Sequence, residues 1–151
     1  DLWSMLLNAG KDYGLIPCGL GARDTLRFEA GMPLYGHEMS EEVTPLETGL
    51  DFFVKAQKDD FIGKKAMHEK NSGIGRIGLK IIDKGIAREN CDVYSNGIKI
   101  GKTTSGTYCP YLGGAYAMAL VKGGVGANME IDVRGKRLKA EAASIPFYKK
   151  V

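Results

Sequence analysis

The chain has 151 residues, enough for one ordinary domain or two small ones, and above the size at which a core becomes hard to bury. Hydrophobic residues at 44% and charged residues at 26% argue against disordered, collagenous and coiled-coil classes. Lys and Arg number 21 against 18 Asp and Glu; the resulting +3 is too small to argue for nucleic acid, and no run of five like charges occurs. Glycine stands out: 21 copies are about 14% of the chain, twice the usual ~7%, while Pro numbers only 5, so many tight turns are expected rather than a low-complexity linker.

Cys18, Cys91 and Cys109 are odd in number and widely spaced, which signals neither a disulfide framework nor a zinc site and fits a reducing compartment. No apolar run approaches the ~18 residues of a membrane span. The start lacks a basic segment and an A-x-A site, so a soluble, unsecreted chain is expected. There is no initiator Met and the apolar periodicity is already running at Leu2, from which a natural start further upstream is expected.

Leu2, Met5, Leu6 and Ala9 follow the i, i+3, i+4, i+7 spacing of an amphipathic helix, expected to face the core and limited by Gly10 and Gly14. Leu15 to Cys18 reads as a short extended piece because the residue before Pro17 avoids the helical region. A second helix is predicted from Ala22 to Ala30, ended by Gly31 and Pro33. Residues 32–45 are loop-like, with an acidic cluster of Glu38, Glu41 and Glu42. Gly49 to Lys55 suits a strand by its aromatic and β-branched content. Asp59 or Asp60 is placed to cap a helix from Phe61 to about Glu69, with Asn71-Ser72-Gly73 as its stop.

Beyond residue 73 the period changes to two. Ile77, Leu79 and Ile81 alternate with polar or small residues, as do Met129, Ile131 and Val133, and Leu138, Ala140 and Ala142. Asn96-Gly97 is a strong hairpin signal, and Arg134-Gly135-Lys136 supplies another turn. Ala115 to Val121 is apolar on both faces, as in a strand buried inside a barrel or sandwich. The fold class is therefore α+β, residues 1–73, followed by an antiparallel β-barrel of about six strands, residues 74–151.

No P-loop, G-x-S-x-G or H-E-x-x-H occurs, and Gly19-Leu20-Gly21-Ala22-Arg23-Asp24 lacks the third glycine of a dinucleotide fingerprint. His37 and His68, 31 positions apart, have no neighbours that suggest a triad or metal set, so surface roles are expected and no metal is implied. Arg23 and Arg27 lie one helical turn apart, so both guanidinium groups can address one carboxylate or one cleft. Asp24 and Glu29 are placed to pair with them, and a helix held by local ion pairs is the blander reading of the same residues.

The stretch GLGARDTLRFEAGMPLYGHEMSEEVTPLE, Gly19 to Glu47, resembles the signature of the aminomethyltransferase family, the T-protein of the glycine cleavage system. The likeness continues through Phe61-Ile62-Gly63-Lys64-Lys65-Ala66, through Gly101 to Pro110, and to the closing Pro146-Phe147-Tyr148. It covers the whole chain but only the C-terminal part of a family member more than twice as long.

The resemblance implies transfer of an aminomethyl-derived one-carbon unit from the lipoylated H-protein to tetrahydrofolate, with release of ammonia. It implies a folate-binding α+β region followed by the barrel, and no nucleic acid or membrane partner. Location would be the cytoplasm in a bacterium or the mitochondrial matrix in a eukaryote. Arg23 matches the family arginine that contacts folate, and Tyr148 lies where the family contributes a second folate contact, with a packed terminal aromatic as the alternative. Arg27, Glu29, Tyr35, Gly36 and Glu38 belong to the motif, with a buried ion-pair network and turn geometry as their expected roles. The family's catalytic aspartate comes from the N-terminal part that these 151 residues do not match, so no catalytic residue is expected in this chain and inactivity alone is expected. Two other readings stay open: the folate domain of a dimethylglycine or sarcosine dehydrogenase-type flavoprotein, and a folate-fold scaffold for iron-sulfur cluster maturation. The K-G-C-Y-x-G-Q-E type motif of such scaffolds lacks its cysteine here, at Lys58 to Lys65.

Overall fold

A computed structural model describes residues 1–70, 72–123 and 125–148. The period-two segments form six strands: β1 Ile74–Ile81, β2 Asp92–Ser95, β3 Ile98–Cys109, β4 Gly114–Lys122, β5 Met129–Val133 and β6 Lys136–Ala143. All pairings are antiparallel, and the sheet closes on itself in the order β1-β4-β3-β2-β5-β6, with Gly78 to Ile81 of β1 paired to Ala140 to Ala143 of β6. Asn96-Gly97 and Arg134-Gly135 both adopt left-handed backbone and join β2 to β3 and β5 to β6, as their sequences predict.

Alternation sorts the side chains. Leu79, Ile81, Val93, Ala117, Ala119, Val121, Ile131 and Leu138 pack inside the barrel. Between them on β4, Met118 and Tyr116 point the other way, into a second cluster with Phe28 and Cys109. This is why β4 is apolar on both faces: one lines the barrel, the other carries a helix.

That helix is α2, Leu20–Glu29, which begins two residues before the predicted Ala22 and lies on β3. Phe28 stacks on Phe147 with ring centroids 5.1 Å apart, and Phe147 meets Tyr116 at 5.1 Å, so the C-terminal segment clamps the helix to the barrel. Gly31 ends the helix at φ +68°, where a Cβ would collide with the Ile145 side chain.

Three expectations are corrected. Residues 49–55 are not a strand: Asp51–Phe53 forms a 3-10 turn, and Phe52 and Phe53 are exposed. β-propensity expresses fit to a half-buried sheet surface, and the closed barrel leaves no edge for a further strand. The first helix, α1 Leu2–Gly10, forms behind an Asp1 cap but does not face the core, since none of its residues is buried. Periodicity states which residues want cover, not whether cover is present. The helix α3 is Lys64–Glu69, shorter than predicted and preceded by Gly63 rather than capped by Asp59 or Asp60. The Lys64 ammonium donates to the carbonyls of Lys58 and Asp59, which holds the preceding residues in a turn. Of the predicted stop, Asn71 lies outside the described residues. Among the described residues no helix is long and apolar enough to cross a membrane.

Candidate functional site

The polar residues of α2 divide into a locked set and an open one. Arg27 is almost wholly buried: Nε donates to Asp24 Oδ1 at 2.8 Å, Nη1 to Glu38 Oε2 at 2.9 Å and Met32 O at 3.3 Å, and Nη2 to Ser105 Oγ at 3.0 Å. Glu38 is fully buried and also accepts from Thr104 Oγ at 2.6 Å and from the Leu34 N–H at 2.9 Å. Burial opposes its charge, but the hydroxyls of Ser105 and Thr104, the Leu34 N–H and Arg27 together hold its pKa below the ordinary carboxylate value. Arg76, half-buried on β1, donates to Gly31 O at 2.7 Å; desolvation lowers its pKa, Glu38 opposes that, and Arg27 adds to it.

Backbone geometry makes this network possible. Thr103 pairs with Ala119 and Ser105 with Met118, so Thr104 is the extra residue of a β-bulge in β3. The bulge turns the hydroxyls of both Thr104 and Ser105 toward the loop and helix instead of alternating them across the sheet. The acidic cluster of the predicted loop thus splits: Glu41 and Glu42 are exposed, and Glu38 enters a buried ion-pair network with Arg27.

Beside this network lies a cleft of ≈ 500 Å³, bordered by Leu20, Arg23 and Asp24 of α2, His37 of the loop, and Arg88 and Glu89 between β1 and β2. That volume is within the range of small-molecule sites. His37 Nδ1 stands 3.0 Å from Glu89 Oε2 and 3.1 Å from Thr104 O; both are acceptors, so Nδ1 carries the hydrogen. Arg88 Nη1 donates to Gly106 O at 3.3 Å. Arg23 is exposed and has no hydrogen bond or ion pair among the described residues. The predicted pair of arginines is therefore one anchored group and one open to the cleft.

Tyr148 does not line this cleft. Its backbone N donates to Glu29 O at 2.8 Å, at the far end of α2, and its half-buried ring meets the edge of Tyr111 at 4.9 Å. Glu29 does not pair with either arginine: it is buried, and its Oε1 has no hydrogen-bond partner among the described residues. Six residues on from Arg23, it sits about 240° around the helix, away from the cleft. Burial and the nearby Glu29 charge push the Cys109 thiol up to about 12. His68 is exposed on α3, and among the described residues no group of three or more His, Cys, Asp or Glu could hold a metal ion. A second hollow, ≈ 600 Å³ and bordered by Pro45, Phe53, Phe61, Met67 and Lys70, contains neither Arg23 nor Tyr148.

Residues 1–58 match the family model of the GCVT N-terminal domain, and residues 75–149 match that of the glycine cleavage T-protein C-terminal barrel domain. The chain belongs to the glycine cleavage T-protein family. The aminomethyltransferases of Geobacillus sp. (strain WCH70) and Bacillus subtilis (strain 168) are 49% and 46% identical to it, over 99% of this chain and 43% of each relative. The crystal structure of the glycine cleavage system aminomethyltransferase T from Bartonella henselae is 32% identical, with a TM-score of 0.83 over 97% of this chain and 43% of that one. The chain thus spans less than half the length of these T-proteins, and matches a C-terminal portion of them.

Within the T-protein family frame, the second matched stretch acquires a physical role. Thr104-Ser105, within the Gly101 to Pro110 run, forms the bulge that meets Glu38 and Arg27 of the first stretch. Co-occurrence of the two motifs was the available signal for their contact. Nothing local indicated that His37, Arg88 and Glu89 share a cleft, because they come from separate connections.

Proposed function

We propose that this chain is the portion of a tetrahydrofolate-dependent aminomethyltransferase that holds folate from one side. The reaction transfers the one-carbon unit of the aminomethyl-lipoyl H-protein to tetrahydrofolate and releases ammonia. The observation that carries the reading is the free guanidinium of Arg23 at the cleft, beside an Arg27 that is fully engaged. Asp24 is bonded to Arg27 and makes no ion pair with Arg23 among the described residues. Arg23 is left with a planar fork of donors for a ligand carboxylate or ring carbonyl, a geometry that Lys does not reproduce.

Tyr148 is proposed as a second folate contact, fixed relative to Arg23 because its backbone is tied to the end of the same helix. No group in this chain is assigned the catalytic step; its residues bind and orient. The start of β1 at Ile74 supports a division into a folate-side unit, residues 1–73, and the barrel, residues 74–151. Bacterial relatives support action in the cytoplasm if the source is bacterial.

The test is Arg23→Ala in the full-length aminomethyltransferase. Methylenetetrahydrofolate formation from loaded H-protein falls while the thermal midpoint is kept, and Arg23→Lys does not restore it. An unchanged kcat/KM for tetrahydrofolate removes the assignment. Titration calorimetry on these 151 residues should give much weaker tetrahydrofolate binding than the full-length enzyme; equal affinity would mean that one side suffices.

A further inference from the structure

We infer that the hollow where β6 ends beside β1 is a binding site for a short aliphatic carboxylate, held through the free edge of the Arg76 guanidinium. The backbone builds the hollow. β1 pairs with β4 from Ile74 to Lys80 but with β6 only from Gly78 onward, so the first half of β1 is flanked on that side by the loop after Pro45, and the Arg76 N–H donates to Glu47 O at 3.0 Å. Between this loop and the end of β6 lies a space of ≈ 370 Å³, walled by Ile77, Val125, Ala142 and Ile145. Among the described residues Arg76 is the one charged side chain that borders it.

Arg76 has donors to spare. Nη1 donates to Gly31 O at 2.7 Å and stands 3.7 Å from Met118 Sδ, while Nε and Nη2 have no partner and no carboxylate pairs with Arg76 among the described residues. Glu38, whose charge Arg76 feels, is committed to Arg27, and Glu47 of the adjoining loop is committed to Ser72 and Thr44. The unused Nε–Nη2 edge is the pair of parallel N–H groups that a carboxylate meets with both oxygens. Gly49, at φ +72°, keeps that edge open: a Cβ there would stand 3.8 Å from Nη2. The walls then select the ligand. Thr48 Oγ1 already donates to Pro45 O at 2.9 Å, so a phosphate would turn its remaining oxygens toward Ile77, Val125 and Ile145. One carboxylate on a short aliphatic chain satisfies both the fork and the walls. The inference is independent of the role given to Arg23.

Butyrate titrated into the isotope-labelled 151-residue chain tests it by NMR, with the amides of Val93 and Ile131 inside the barrel as the folding reference. Saturable shifts should appear at the Arg76 Nε–H and at the amides of Gly49, Gly78 and Ala143, with a dissociation constant on the order of 1 mM. Arg76→Gln should weaken binding by about tenfold or more. Ala142→Leu, which keeps the guanidinium and narrows the hollow, should weaken butyrate more than acetate. Both variants should leave the reference amides in place. Absence of saturable shifts overturns the inference, and so do equal shifts with butyramide, because charge is then irrelevant, or with inorganic phosphate, because the walls then select nothing. Loss of binding when the chain is joined at Asp1 to the preceding portion of the Geobacillus relative also overturns it, because the Arg76 edge is then filled by the protein itself.

Discussion

Arg27 Nη1 donates to Glu38 Oε2 at 2.9 Å in a place where Glu38 has no solvent contact and Arg27 keeps 9% exposure. Through Ser105 and Thr104 on the β3 bulge, this ion pair joins the helix, the loop after it and the barrel. Removing one member strands the other: Glu38→Ala leaves a buried guanidinium with Asp24 as its remaining anionic partner. The expected loss is roughly 3–5 kcal/mol, read as a lower urea midpoint. A loss below about 1 kcal/mol, the size of a surface pair, would mean the network is solvated.

The same carboxylate gives the fold a pH dependence of known sign. In the folded protein Glu38 is held below the ordinary carboxylate value that it regains on unfolding, because hydroxyl and N–H donors and Arg27 outweigh the cost of burial. Its contribution is therefore present above that value and is lost as pH falls through the folded pKa. Glu47 shifts the same way: burial opposes its charge, but Ser72 and Thr44 donate to it. Urea midpoints taken from pH 7 down to pH 3 should decline below about pH 4.5, the ordinary carboxylate value. In Glu38→Gln the decline should be shallower, with the Glu47 part retained. Parallel curves for the two proteins would remove Glu38 from the acid response.

Thiol reactivity should separate Cys109 from Cys18. Cys109 is fully buried and its thiol is pushed up to about 12 by desolvation and by Glu29. Thiolate is the nucleophile, so at pH 8 Cys109 should resist iodoacetamide until the chain unfolds, while exposed Cys18 reacts at once. Peptide mapping after timed alkylation checks this. Modification of Cys109 at the rate of Cys18 would show that the layer between α2 and β4 opens freely.

The barrel was legible because its information is local and repeated: alternation at Leu79, Ile131 and Leu138 fixes the inner face, and Asn96-Gly97 fixes a turn. The motif around it singles out Arg23, which lines the cleft beside α2. The readings that failed depend on what lies across from a residue. Phe52 and Phe53 have strand propensity but no open sheet edge, and α1 has periodicity but no buried residue. The Thr104 bulge, which decides where Glu38 ends up, depends on the register between β3 and β4 and leaves no local trace.

Gly31 is where helix, barrel and C-terminal segment converge. Its φ of +68° is strained for any L side chain, and a Cβ there would also collide with Ile145 beside the Phe28–Phe147 stack. Gly14, at φ +72°, has nothing within 4 Å of the same position and carries the strain alone. Gly14→Ala should therefore cost about 1–2 kcal/mol. Gly31→Ala should add an overpacking cost of about 1–3 kcal/mol and reduce the near-ultraviolet signal of the Phe28, Tyr116 and Phe147 cluster. Thermal melts of the two variants side by side isolate the collision. Equal losses would show that Ile145 yields without cost and that backbone conformation alone makes glycine necessary at position 31.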